Sequence, residues 1–170
     1  MKLAMVFPGQ GSQSVGMLKA YAGLPGVDAV RAEAGTALGA DFLRLLDEGP
    51  AEQLNMTVNT QPAMVTAAIA AYRAWLGSGG PAPEIVAGHS LGEYSALVVS
   101  GVFSFRDALP LVRYRAQCMQ EAVPEGTGAM AAIYSDHAKF IDQCAASMPA
   151  VENQVGAIFT IGTRIVGTDL

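Results

Sequence analysis

The sequence contains few charged residues. They make up 15% of the 170 residues, against 51% hydrophobic ones, and no block of like charge stands out. This balance argues against a disordered chain and allows a sizeable core in one domain, or in one domain and part of another. The net charge is −5, whereas nucleic-acid binders normally carry a basic surface, so we expect no nucleic-acid partner.

Cysteine is also scarce. The two cysteines, Cys118 and Cys144, form no C-x-x-C pair and match no zinc-ligand spacing. We therefore expect two buried thiols in a reducing compartment, with no metal site and no bound cofactor.

Long uninterrupted apolar runs are missing as well. Residues 1–8 carry one charge and stop at a proline, which is too short for a signal peptide and indicates a buried first strand. The apolar run over residues 63–76 is interrupted by Tyr72 and Arg73, so it cannot span a bilayer. The sequence predicts a soluble, cytoplasmic protein without a membrane partner.

The most informative stretch is Gly-His-Ser-Leu-Gly at residues 88–92, between a short apolar strand and a helix-forming run. This order predicts a nucleophile elbow, a sharp strand-to-helix turn that lifts the hydroxyl of Ser90 above the sheet edge. Gly88 and Gly92 are required because a β-carbon would crowd the turn. The following helix aims its first amides, including that of Leu91, at an oxyanion beside the serine. The alternative is an ordinary turn that happens to carry serine.

Strands and helices alternate along the first part of the chain. A strand over residues 3–7 precedes a glycine-rich loop, helical patterns over 28–38 and 42–46, and a longer helix that begins near Pro62 and ends at 77–80. The strands are apolar throughout rather than alternating. We therefore predict an α/β fold, with a parallel sheet covered by helices on both faces.

The helix before residue 125 carries two arginines of different character. A cap at Asp107 places Pro110 in the first turn, whereas a start at Ser104 would put this proline in the interior at a cost of about 3 kcal/mol. At about 100° per residue, Arg115 lies on the border of the apolar stripe and Arg113 points away from it. We expect Arg113 to be solvated, and Arg115 to be held against the interior, where it needs an anion.

The pattern changes after residue 125. A strand over 129–133, a helix over 136–147 and a strand over 155–166 predict a β-α-β run. We therefore divide the chain into an α/β core at 1–125 and the incomplete beginning of a small ferredoxin-like subdomain at 126–170.

Four segments together resemble the malonyl-CoA:acyl-carrier-protein transacylase family of fatty acid synthesis. The likeness extends from residue 1 to about residue 133. A Gly-x-Ser-x-Gly motif alone is shared with lipases and esterases, but the order and spacing of all four segments are specific. They are Phe7-Pro8-Gly9-Gln10-Gly11-Ser12-Gln13, Thr60-Gln61-Pro62-Ala63, Gly88-His89-Ser90-Leu91-Gly92-Glu93-Tyr94, and Arg115 with Met119-Gln120-Glu121-Ala122-Val123-Pro124.

The resemblance implies an α/β hydrolase-like acyltransferase core that transfers malonyl from malonyl-CoA to the phosphopantetheine thiol of acyl carrier protein. Ser90 would be the nucleophile, Gln10 and Leu91 would form the oxyanion hole, and Arg115 would hold the free carboxylate of malonyl. A guanidinium suits that task because its planar fork donates two parallel hydrogen bonds. An acetyl group would leave the same charge unpaired.

Each role has a structural alternative. Gln10 could tie down its glycine-rich loop, and Arg115 could belong to a structural ion pair. His89, beside the nucleophile, is interpreted as packing or hydrogen bonding within the turn and not as the base.

The general base is the missing part of the pattern. The resemblance implies that a histidine and the residue orienting it come from beyond the small subdomain, and this sequence contains no such histidine. His137 falls at the start of a predicted helix, and the likeness is looser from Tyr134 onward. The chain thus resembles the first half of a family member and is expected to be incomplete as a catalyst. The alternatives are a serine ester or thioester hydrolase and a non-catalytic acyl-binding remnant.

Overall fold

The computed structural model describes residues 2–122 and 163–167. Strands and helices alternate along the chain as predicted. The elements are β1 (Ala4–Phe7), α1 (Val27–Leu38), α2 (Ala40–Glu48), α3 (Ala51–Leu54), α4 (Thr57–Gly77), β2 (Ile85–His89), α5 (Gly92–Val99), α6 (Phe105–Glu121) and β3 (Thr163–Gly167), with a short 3-10 turn at Lys19–Tyr21.

The described sheet has the order β1-β2-β3. β1 and β2 run parallel, with Ala4 beside Ile85 and Phe7 beside Gly88. The predicted α/β fold with parallel pairing is therefore confirmed. β3 runs antiparallel to β2, with Thr163 beside His89, an orientation the sequence did not predict.

Most of the predicted small subdomain lies outside the described residues. This holds for the strand over 129–133, for the helix over 136–147 with His137 and Cys144, and for most of the strand over 155–166. The domain boundary near residue 125 stays a prediction.

The two faces of the sheet differ in what covers them. Alternate residues of a strand point to opposite faces, and Phe7 and Val86 on one face are buried against Ala96 of α5. The opposite face carries Val6 and Ile85, which are 69% and 39% exposed. The described helices therefore cover one face and leave the other open.

The main core lies between the helices. α4 is the central one, since it packs against α1, α5 and α6. Its residues from Thr60 to Thr66 are all buried, and so is one side of α6. The apolar stripe predicted for α6 is confirmed at Leu109, Val112 and Ala116, which are fully buried.

The predicted start of α4 near Pro62 is wrong, because the helix begins at Thr57. Pro62 therefore stands inside the helix, where its ring nitrogen cannot donate a backbone hydrogen bond. The preceding turn is held separately: the amides of Asn59 and Thr60 both donate to Met56 O at 2.8 Å. The Thr60 hydroxyl donates to Leu54 O at 2.6 Å. Burial of this segment offsets the cost of the interior proline.

The predicted cap of α6 at Asp107 is also wrong. The N-cap is Ser104, whose hydroxyl accepts from the Asp107 amide at 3.1 Å and donates to the Asp107 carboxylate at 2.6 Å. Pro110 lies inside the helix. The reciprocal cap and the buried side of the helix outweigh the proline penalty on which the prediction relied.

Two expectations about single side chains on α6 fail. Arg113 is half-buried rather than fully solvated, and its guanidinium lies 3.5 Å from the carbonyl oxygen of Leu38, at the C-terminal end of α1. Cys118 is a free thiol as expected, but it is exposed.

Among residues 2–122 and 163–167, no helix combines the length and the apolar character needed to cross a membrane.

A two-pronged ion pair joins α1 to α2. Arg31 donates to both carboxylate oxygens of Asp47, with one nitrogen–oxygen distance of 2.8 Å. The hydrogen bonds from Arg31 hold the pKa of the Asp47 carboxyl below its ordinary value, against the opposing effect of burial. Both side chains are less than one third exposed, so the pair is only partly screened by solvent.

Replacing Asp47 by asparagine should lower the free energy of unfolding by about 1 kcal/mol at neutral pH. Since the folded-state pKa lies below the unfolded-state value of about 3.9, the contribution is complete above that value and is lost as the pH falls through the folded-state pKa. Urea unfolding of both proteins across this range measures the difference. Glu48→Gln, at the adjacent position, is the matched control. A deficit in Asp47→Asn that persisted in strong acid would contradict the account.

Candidate active site

The backbone at Ser90 has the geometry of a nucleophile elbow. β2 ends at His89 and α5 begins at Gly92. Ser90 has φ = 54° and is the only non-glycine residue in the left-handed region among those that the structure describes. That conformation costs an L-residue about 1–2 kcal/mol. Such strain at one serine between a strand and a helix points to a functional constraint.

The two glycines of the motif are fixed by close backbone contacts. A β-carbon on Gly88 would overlap the backbone of Gly92 and Glu93, and one on Gly92 would overlap the carbonyl of Phe7. The elbow therefore packs directly on the end of β1 as well as on its own helix. No side chain fits at either position without moving one of these backbones, as the sequence predicted.

The amides that would face an oxyanion lie on two neighbouring segments. Leu91 is the N-cap of α5 and is buried. Gln10 lies three residues beyond the end of β1, in the glycine-rich loop. Within the described residues, nothing accepts a hydrogen bond from the backbone N–H of Leu91 or of Gln10.

The glycine-rich loop is tied down by Gln13 rather than by Gln10. The side-chain oxygen of Gln13 accepts from the Gly11 amide at 2.8 Å, and its nitrogen donates to the side-chain oxygen of Asn55 at 3.0 Å. Gln10 is exposed and turns its side-chain oxygen to Gln61, at 3.2 Å. This arrangement favours the prediction that Gln10 helps to form the oxyanion hole over the alternative that it anchors its loop.

Arg115 reaches Ser90 from α6. One terminal nitrogen donates to Ser90 Oγ at 3.2 Å, and the other donates to the side-chain oxygen of Gln61 at 2.6 Å. Its guanidinium carbon lies 5.9 Å from the centre of the Tyr94 ring. Arg115, which the helical spacing placed on the border of the apolar stripe, thus lies beside the elbow.

Gln61 is a residue of the site to which the sequence analysis gave no role. It is completely buried on α4, and its side-chain nitrogen contacts Met119 Sδ at 3.3 Å in addition to Gln10. A glutamine in an otherwise apolar, proline-containing stretch was the available signal, because a buried amide needs polar partners. Its partners come from two distant segments that only the fold brings together.

The charge of Arg115 has no counter-ion among the described residues. Its partners among the described residues are an amide, a hydroxyl and an aromatic ring, and none of the ion pairs in this part of the chain involves it. A partly buried cation held only by neutral acceptors keeps its attraction for an anion. In the described part of the fold, Arg115 therefore has no carboxylate partner that would support a structural ion pair.

His89 lies next to Ser90 in sequence, but its side chain contacts a different segment. Its side chain is exposed, and its Nδ1 lies 3.1 Å from the point where a β-carbon of Gly9 would sit. It therefore packs on the glycine-rich loop. It is the only histidine among the described residues, since His137 lies outside them.

The predicted site residues thus lie together in one place. A chain of hydrogen bonds runs from Gln10 through Gln61 and Arg115 to Ser90, joining the first loop, α4, α6 and the elbow. The arrangement brings together the hydroxyl of Ser90, the backbone amides of Leu91 and Gln10 and the guanidinium of Arg115. These groups suit acyl transfer from a donor that carries a negative charge near its reacting carbonyl.

Comparison with known proteins matches residues 4–163 to the acyl transferase domain family. The malonyl CoA-acyl carrier protein transacylase of Escherichia coli (strain K12) is 56% identical over 156 residues, which are 91% of this chain and 50% of the relative.

Solved structures agree with this match. An acyl-carrier-protein S-malonyltransferase from Burkholderia pseudomallei 1710b superposes with a TM-score of 0.80 and 58% identity, over 88% of this chain and 49% of that chain. A malonyl-transacylase solved in complex with a type II polyketide synthase acyl-carrier protein superposes with a TM-score of 0.78 and 50% identity. This match covers 87% of this chain and 48% of that chain. The chain spans about half the length of the relatives it matches.

Proposed function

This chain belongs to the acyl transferase domain family, and we propose that it provides the nucleophile and the donor-selecting charge for malonyl transfer from malonyl-CoA to acyl carrier protein. The family match supports acyl transfer in general. The malonyl donor and the carrier acceptor are supported by the names of relatives that are about twice as long.

The first half-reaction makes an ester on Ser90. Its Oγ attacks the thioester carbonyl of malonyl-CoA, and the hydroxyl proton passes to a base. The carbonyl oxygen becomes an oxyanion, which accepts hydrogen bonds from the backbone amides of Leu91 and Gln10. The C–S bond then breaks, and coenzyme A leaves as the thiol after taking up a proton. In the second half-reaction the phosphopantetheine thiol of the carrier loses its proton to the base and attacks the ester carbonyl. The C–O bond to Ser90 then breaks, and Ser90 Oγ takes up a proton.

The observation that carries the malonyl assignment is the position of Arg115. Its guanidinium lies within hydrogen-bond distance of Ser90 Oγ, so a carboxylate separated from the reacting carbonyl by one methylene group falls within its reach. Gln61 holds the other end of the guanidinium without neutralising it. A malonyl group supplies the missing negative charge, and an acetyl group does not.

The base in this proposal is a histidine supplied by the part of the fold that the longer relatives contain. Among the described residues, His89 packs on the loop before the site and is not proposed for that role. We further propose a cytoplasmic location, which the exposed free thiol of Cys118 supports because free thiols persist in reducing compartments.

Incubation with malonyl-CoA should add one malonyl group to the peptide that contains Ser90, detected by mass spectrometry. The test uses this chain alone and as a chimaera, in which it replaces the matching half of the Escherichia coli relative and thereby gains a base. Ser90→Ala should abolish the adduct, and Ser100→Ala, at the C-cap of α5, should retain it. Equal labelling of the Ser90→Ala chimaera would refute the assignment.

Replacing Arg115 by alanine in the chimaera should slow malonyl transfer by about tenfold to a hundredfold. A charge-assisted hydrogen bond is worth about 1.5–3 kcal/mol, and 1.4 kcal/mol corresponds to a factor of ten. Acetyl transfer should be spared, because an acetyl group has no carboxylate and therefore loses no ion pair with Arg115. Lysine should restore only part of the rate, since a point charge cannot reproduce the fork.

The control for this variant is Arg113→Ala, which removes a half-buried arginine of the same helix that does not contact Ser90. It should leave the ratio of malonyl to acetyl transfer unchanged. Equal losses for the two donors in Arg115→Ala would mean that Arg115 supports the fold and selects no substrate.

A non-catalytic acyl-binding protein is the second candidate, favoured by the lack of a base among the described residues. Such a protein would bind malonyl-CoA in calorimetry and form no ester over hours. A hydrolase would release free malonate as fast without acyl carrier protein as with it. The position of Arg115 does not favour hydrolysis over transfer.

A further inference from the structure

Gln61 is completely buried, and its side-chain amide is shared among three residues of other segments. Its oxygen accepts from a terminal nitrogen of Arg115 at 2.6 Å. Its nitrogen donates to the side-chain oxygen of Gln10 at 3.2 Å and to Met119 Sδ at 3.3 Å. A buried amide without such partners is costly, and these contacts use both of its hydrogens and its oxygen. All three partners lie outside α4, so the amide connects the site rather than its own helix.

The direction in which this amide points is set by Arg115. A guanidinium has donors and no acceptor, so only the oxygen of Gln61 can face it. The nitrogen of Gln61 must then face the opposite way, where Gln10 presents its own side-chain oxygen. Sulfur is a weak acceptor, so Met119 adds a contact without competing for the direction. The cation therefore orders two amides in succession, from α6 to the glycine-rich loop.

Helix α6 holds the amide at two positions one turn apart. Arg115 and Met119 are separated by four residues, so their side chains lie on the same side of α6. They contact the oxygen and the nitrogen of Gln61, respectively. The second terminal nitrogen of Arg115 lies 3.2 Å from Ser90 Oγ. Any shift of the Gln61 amide would therefore move the guanidinium relative to Ser90.

We propose that Gln61 is a positioning residue that determines which acyl donor the site accepts. It fixes the guanidinium of Arg115 beside Ser90 through an uncharged acceptor, so the positive charge stays available for the carboxylate of the donor. The same amide fixes the loop of Gln10. The inference deepens the proposed function and rests on it, because it takes malonyl as the charged donor.

Two replacements of similar size separate neutrality from hydrogen bonding at this position. A glutamate would accept from Arg115, but its carboxylate would neutralise the guanidinium and turn a second oxygen toward the side-chain oxygen of Gln10. A methionine would fill a similar volume and carry no charge, yet it would leave Arg115 without its 2.6 Å contact. The proposal therefore predicts a larger loss of donor selection from the glutamate than from the methionine.

The test compares Gln61→Glu and Gln61→Met in the chimaera with the Escherichia coli relative, using malonyl-CoA and acetyl-CoA as donors. Gln61→Glu should lower the malonyl-to-acetyl ratio of kcat/KM at least about tenfold, because the introduced carboxylate takes the place of the donor's carboxylate at Arg115. Gln61→Met should lower the ratio less, since the charge of Arg115 remains. Thr66→Val is the control: it removes a buried hydroxyl of α4 that donates to Pro62 O at 2.8 Å, and it should leave the ratio unchanged.

A residue that only supported the packing would slow both donors alike, with or without Arg115. If Gln61 acts through Arg115, neither replacement should change the ratio further in an Arg115→Ala background. A further loss in that background, or a ratio that a folded Gln61 replacement leaves unchanged, would overturn the proposal. Circular dichroism verifies the fold of each variant, and Gln61→Met provides the comparison if Gln61→Glu does not fold.

Titration of this chain alone with malonate, by calorimetry, is a second measurement that requires no base. Gln61→Glu should weaken malonate binding at least about tenfold, and Thr66→Val should not weaken it. Binding that Arg115→Ala abolishes and that both Gln61 variants leave intact would refute the role of Gln61 while the proposed function stands. If malonate does not bind and the chimaera shows the same donor ratio with and without Arg115, the proposed function itself fails.

Discussion

The site depends on one hydrogen bond between a buried amide and a cation, the contact of 2.6 Å from Arg115 to Gln61. A glutamate at the same place would bind Arg115 more tightly and neutralise it, leaving no charge for a ligand. Glutamine holds the guanidinium with the same geometry and preserves its charge. The side-chain nitrogen of Gln61 donates to Gln10, so one buried side chain connects the guanidinium to the loop that carries Gln10.

The helices and the sheet hold these groups in register by different means. Gln61 lies in the buried segment of α4 and Arg115 on α6, and the packing of these two helices sets the distance between the residues. On the sheet side, Gly88 and Gly92 let the elbow backbone lie directly against β1. Backbone contacts of this kind leave no side chain to adjust, which explains how the strained conformation of Ser90 is maintained.

Local pattern predicted the parts of the site that depend on local geometry. The elbow followed from its glycine spacing, and the position of Arg115 followed from the helical period. The role of Gln61 did not follow from local pattern, because its partners Gln10 and Arg115 lie more than 50 residues away on either side of it in sequence. The helix starts failed where tertiary burial and a serine cap outweighed the intrinsic penalty of proline, as at Ser104. The exposed face of the sheet at Val6 was not predicted either, because an apolar strand sequence does not specify what covers the strand.

A crystal structure of this chain with malonate tests the central claim most directly, because free malonate carries the carboxylate without requiring a base. The account predicts a carboxylate bound by both terminal nitrogens of Arg115, loss of the contact with Ser90 Oγ, and retention of Gln61 as a neighbour of the guanidinium. It also predicts no rearrangement of the elbow. An Arg115 paired with a carboxylate of the protein itself, with malonate bound elsewhere, would contradict it.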